Sequence, residues 1–142
     1  MRYLLVALAA LLAAFSPTSS VTFSDGYPRA SSGTDGITIT WVTSQENGIK
    51  DFAVEKASQL NSQQFYQLDG TIAAQGAGNT YQFTDKDLYK TTSSTIFAYR
   101  VRADGNDGSV SYSATITQPY DFSPGLSGVA KRTWGSIKAM FR

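Results

Sequence analysis

Apolar and polar residues alternate with a period of two over several short stretches of this chain. In 95–103, Phe97, Tyr99, Val101 and Ala103 alternate with Ala98, Arg100 and Arg102. That is the signature of a strand with one face buried. In 37–42, Ile37, Ile39 and Trp41 take one face and Thr38, Thr40 and Val42 the other; β-branched residues fit such a pleated surface. Stretch 49–57 turns Phe52 and Val54 one way, 79–84 does the same with Tyr81 and Phe83, and 110–117 with Val110, Tyr112, Ala114 and Ile116. Shorter strands are expected at 21–23 and 65–68, and 69–78 reads as a loose edge. Asp35 with Gly36, Asn47 with Gly48, and the run Asp104, Gly105, Asn106, Asp107, Gly108 are turn chemistry. Residues 24–35, with Gly26, Pro28, Ser31, Ser32 and Gly33, read as a loop. About seven short strands with no helical period between them argue for an all-β, antiparallel sandwich. Its expected core is Ile39, Trp41, Phe52, Val54, Tyr81, Phe83, Tyr99 and Val101.

The two ends follow other rules. Residues 1–20 begin with one charge, Arg2, followed by an apolar run from Leu4 to Phe15 and then small and polar residues. That run is too short to span a bilayer of roughly 30 Å as a helix. It reads as an export signal helix, cut between Thr18 and Ser20, and implies a secreted, periplasmic or cell-envelope protein. At the other end, 123–128 is a linker by composition, and 129–142 separates into two arcs when wound as a helix. Trp134, Ile137 and Phe141 lie on the apolar arc with Val129 and Met140; Lys131, Arg132, Lys138 and Arg142 lie on the basic one. Gly135 and the short length make this amphipathic helix marginal alone in water. The expected divisions are 1–20 signal, 21–122 sandwich, and 123–142 linker and tail.

Charge sharpens this division. Of the 142 residues, 21–122 hold seven Lys/Arg and all eleven Asp/Glu, a net of −4, while 123–142 hold four basic residues and no acid. A basic tail on an acidic body points to a separate partner for the tail. The expected partners are a protein or surface glycan for the body and an anionic membrane surface for the tail. Nucleic acid is not expected of an acidic body.

The chain has no Cys and no His. It therefore has no disulfide, and Ser-His-Asp and Cys-His catalysis and the usual zinc sets are excluded. Asp85 and Asp87 are the remaining carboxylate pair, and they read as solvated turn residues rather than a glycosidase pair, which needs a substrate cleft. The run 104–108 places Gly where a calcium loop needs a fifth-position ligand, and reads as a hairpin turn. Tyr27, Tyr66, Tyr89, Tyr112 and Tyr120 are candidates for exposed contact residues. No cofactor and no metal are expected. Function reads as non-catalytic.

Trp41 in the second strand, Phe52-Ala53-Val54-Glu55 in the third, Tyr81-Gln82-Phe83-Thr84-Asp85, and Tyr99-Arg100-Val101-Arg102 before an Asp-Gly turn come in an order that resembles a fibronectin type III domain. The layout over about 37–117 is similar to the variant in secreted bacterial proteins. That resemblance implies an immunoglobulin-like sandwich of three strands on four, with Trp41 between the sheets. It also implies that Tyr99 is a corner tyrosine whose hydroxyl bonds to nearby backbone, and that the module binds or scaffolds.

Overall fold

The computed structural model describes residues 17–58, 63–88 and 94–121. The signal segment before residue 17 and the entire tail lie outside the described residues, as do Tyr89 and the helices expected at both ends. No helix occurs among the described residues. Ten strands do: β1 (Ser20–Phe23), β2 (Arg29–Gly33), β3 (Gly36–Asn47), β4 (Ile49–Ser58), β5 (Tyr66–Gln67), β6 (Ile72–Ala73), β7 (Thr80–Asp85), β8 (Thr95–Gly105), β9 (Val110–Tyr112) and β10 (Ile116–Tyr120). They form two antiparallel sheets.

In the first sheet β3 is central. β1 meets its second half, Thr43 to Asn47, and β2 its first, Gly36 to Thr40. β7 pairs on the other side, with Trp41 opposite Tyr81. The carbonyls confirm the two sides: that of Val42 accepts from Ser24 at 2.8 Å, and that of Thr43 from Gly78 at 2.8 Å. In the second sheet β4 and β8 form the long central ladder. β5 and β6 pair with successive stretches of β4, and β9 and β10 with successive stretches of β8.

Several elements differ from the sequence pattern. The expected loop at 24–35 contains β2. Its residues, Arg-Ala-Ser-Ser-Gly, carry little apolar signal because only Ala30 turns toward the core. The expected single strand at 110–117 is two strands. Ser113 breaks it: its amide donates to the Val101 carbonyl and its Oγ accepts from the Val101 amide, both at 2.9 Å. Val110 and Tyr112 are accordingly exposed, while Ile116 packs against the core.

The core lies between the sheets. Ile37, Ile39 and Trp41 of β3 face Phe52 and Val54 of β4 and Tyr99 and Val101 of β8, and all are buried. Trp41 is 0% exposed. Its ring stacks on Tyr81 at 5.4 Å and meets Phe52 of the other sheet edge-on at 5.8 Å. Phe83 is half-buried and packs against this cluster from its margin.

One glycine is demanded by a close approach. Gly36, at the β2–β3 turn, has φ +140°, and a Cβ there would sit 2.0 Å from the Asp85 carbonyl oxygen. The absence of a side chain lets the end of β7 lie against β3.

Candidate functional site

A period of two carries β4 from Phe52 and Val54 to Lys56, and β7 from Tyr81 and Phe83 to Asp85. Both charges therefore arrive on inward faces. Lys56 lies opposite Tyr99 in the β4–β8 ladder, and Asp85 comes from the other sheet. Lys56 Nζ stands 2.6 Å from Asp85 Oδ2, with the two side chains 2% and 1% exposed. The Tyr99 hydroxyl donates to the same Oδ2 at 2.8 Å. The Asp87 amide donates to Oδ1 at 3.0 Å. The Lys56 ammonium also lies 4.0 Å from the Phe97 ring centroid, a cation–π contact. Burial, followed by the Asp85 hydrogen bond, holds the Tyr99 pKa far above that of an ordinary tyrosine.

Two expectations are corrected here. Asp85 is not a solvated turn carboxylate: it is the last residue of β7, it faces inward, and its charge is met by Lys56. Asp87 is exposed. The Tyr99 hydroxyl does not bond to nearby backbone, because Asp85 intercepts it. Among the described residues the tyrosine whose hydroxyl meets main chain is Tyr81, which accepts from the Gln75 amide at 2.8 Å and donates to Glu46 Oε1 at 2.8 Å. Glu46 in turn takes the Thr43 hydroxyl on Oε1 and the Gly76 amide on Oε2.

The outward face of β4 and β8 carries a second cluster. Glu55 lies opposite Arg100, and Arg100 reaches its Oε2 through Nη2 at 2.6 Å and Nε at 2.7 Å. Arg102 contacts Glu55 at 3.4 Å and Asp104 at 2.9 Å. The Asp104 hydrogen bond foremost raises the Arg102 pKa further. The Arg100 guanidinium lies between two rings, 4.2 Å from Phe65 and 4.0 Å from Tyr112. Tyr112 is 48% exposed, so this stack forms a ledge at the surface. Of the other candidate tyrosines, Tyr66 is exposed, while Tyr27 and Tyr120 pack against the core.

Turn 104–108 is occupied by its own bonds. Asp107 takes the Ser109 hydroxyl and amide and, from the N-terminal side, the Ser19 amide at 2.9 Å. These donors hold the Asp107 carboxyl well below the usual range. A cleft of about 190 Å³ lies at the end of β7, lined by Leu68, Asp69, Phe83 and residues 84–87. It is below the roughly 300 Å³ at which small-molecule pockets begin. Among the described residues no helix is long and apolar enough to cross a membrane.

The candidate interaction residues of the tail, Lys131, Arg132, Trp134, Ile137, Lys138, Phe141 and Arg142, lie outside the described residues. The chain matches no model of a known protein family and no curated protein.

Proposed function

We propose that this chain is an exported, non-catalytic binding or scaffold module of the cell envelope or exterior, built on a seven-stranded fibronectin type III-like sandwich. The pairing supports the seven-strand reading. β1 with β2, β5 with β6, and β9 with β10 each run along one neighbour and act as one interrupted strand. Three rows then pack on four.

The observation that carries the binding role is the Tyr112–Arg100–Phe65 stack anchored by Glu55. Tyr and Arg dominate interface energetics when they are held rigidly. Here Arg100 is already held by Glu55 and by both rings, which lowers the entropy cost of association. The chemistry suits a protein or a surface glycan. The test is capture from a native envelope fraction by the full chain, by Tyr112→Ala, and by the chain lacking 123–142. A partner held by the full chain and lost with Tyr112→Ala supports the ledge. Equal capture by Tyr112→Ala refutes it.

A second reading rests on the opposite charges of body and tail. In it the chain is membrane-associated through the amphipathic tail, with its four basic residues on anionic headgroups, each contributing about 1 kcal/mol. Sedimentation with anionic but not neutral vesicles, lost on removal of 123–142, is the expected result.

A further inference from the structure

An amine, a carboxyl and a hydrogen-bond donor meet in the dry interior of the sandwich. Among the described residues one other lysine contacts a carboxylate: Lys50 with Asp51 at 3.6 Å, where the lysine is 69% exposed. The remaining ion pairs use guanidinium groups. Lys56 and Asp85 differ in having an ammonium and a carboxylate in direct contact, both sealed from water, on opposite sheets. An ion pair there is weak evidence for stability, because desolvation offsets the attraction. Its chemistry suggests another use.

We propose that Lys56 and Asp85 condense to an intramolecular amide that ties the two sheets covalently. One proton passes from Nζ to Oδ2 along their contact, leaving an amine and a carboxylic acid. The Nζ lone pair adds to Cγ. The negative charge that develops on Oδ1 is met by the Asp87 amide, already 3.0 Å away. A second proton moves from nitrogen to Oδ2, the Cγ–Oδ2 bond breaks, and water leaves. Nζ keeps one hydrogen, Oδ1 becomes the amide carbonyl, and no oxidant or co-reactant is consumed.

Three features of the site favour this course. Holding the reacting groups together replaces a bimolecular step, with effective molarities that reach about 10⁵–10⁸ M in well-oriented systems. The low-dielectric interior penalises the charged pair and not the neutral product. The Tyr99 hydroxyl donates to Oδ2, the leaving oxygen, and polarises it; its raised pKa keeps it a donor at every working pH. Asp85 is held in place by the end of β7, where Gly36 admits it.

The test is the mass of the purified full chain, followed by a tryptic map. The expected protein is lighter by one water. Trypsin then fails to cut after Lys56, and one peptide starting at Asp51 carries both positions, with fragmentation placing the link between Lys56 and Asp85. Lys56→Arg keeps the charge but should show full mass and normal cleavage. A wild-type chain of full mass that is cut after Lys56 overturns the proposal. So does the same water loss in Lys56→Arg, since it would come from imide formation at an Asp-Gly step elsewhere.

Discussion

Trp41→Ala tests the centre of the sandwich, and the structure sets the size of the effect. Truncating a buried tryptophan costs about 3–5 kcal/mol through lost burial and the cavity that remains. Trp41 is 0% exposed and bridges the sheets by its contacts with Tyr81 and Phe52, which argues for the top of that range. One feature argues the other way. The indole Nε1 is buried with no acceptor among the described residues. Leaving such a donor unmade costs on the order of 1–3 kcal/mol, and alanine removes that burden. The net expectation is about 3 kcal/mol for Trp41→Ala. Trp41→Phe removes the same donor, keeps most of the ring contact, and should cost under about 1.5 kcal/mol, the scale of a tolerated hydrophobic swap. Urea unfolding followed by far-ultraviolet circular dichroism measures both without relying on tryptophan emission, and an unchanged slope certifies that stability alone has moved. In a domain of this size about 1 kcal/mol shifts Tm by about 4–8 °C, so the alanine variant should melt roughly 12–24 °C below wild type. If Trp41→Ala unfolds at the wild-type midpoint, Trp41 is not the bridge between the sheets. If Trp41→Phe is as damaging as Trp41→Ala, the account of the unpartnered indole fails.

Gly36→Ala should be far worse than Gly76→Ala. Both glycines have positive φ, so alanine is strained by on the order of 1–3 kcal/mol at either place, but only at Gly36 would the added carbon strike main chain, 2.0 Å from the Asp85 oxygen; equal thermal midpoints for the two variants would contradict this close approach. Stability should also fall above pH 10. Burial foremost raises the pKa of both Tyr99 and Tyr81 above 10 in the folded chain, with Glu46 adding to it at Tyr81. Their contribution is therefore complete below the unfolded value and is lost as pH rises through the folded one. Urea midpoints between pH 9 and 12 should decline for wild type and decline less steeply for Tyr81→Phe; a wild-type profile that stays level would refute the assignment.

The strands that could be read from the sequence are those whose neighbours differ on their two sides. β3 alternates apolar and polar residues from Ile37 to Trp41 because one face meets the core and the other does not, and β8 does the same from Tyr99 to Ala103. β2 escaped that test, and so did the break between β9 and β10, for a physical reason. These three are edge segments held mainly by main-chain bonds to β3 and β8, and main-chain bonds leave no trace in side-chain hydropathy. Reading 110–117 as one strand put Val110 and Tyr112 on the same face as Ile116, which packs against the core. The break at Ser113 frees Tyr112 to lie over Arg100 instead. The outward ledge was illegible for a related reason. Arg100, Glu55, Phe65 and Tyr112 come from four separate stretches, and only the register of β4, β8 and their edge strands brings them together.

The inner cluster is a different case, because its signal was present and ran against residue type. Lys56 follows Phe52 and Val54 at the same spacing that placed those two inside, and Asp85 follows Tyr81 and Phe83 in the same way. Charge alone argues that each should be at the surface, since unpaired burial of either is prohibitive. Periodicity argues that each should be inside. The conflict resolves only when both are placed together, for then each supplies what the other needs. A lysine at the inward register of one sheet therefore predicts an acid at the inward register of the other, and β7 is the described strand that ends in one. Two opposite charges on inward faces of separate strands are thus a constraint on how the sheets stack, because any offset that parts Lys56 from Asp85 would leave both charges buried and unmet. This restricts the relative placement of β4 and β7, which share no ladder, in a way that apolar packing, tolerant of small slides, does not.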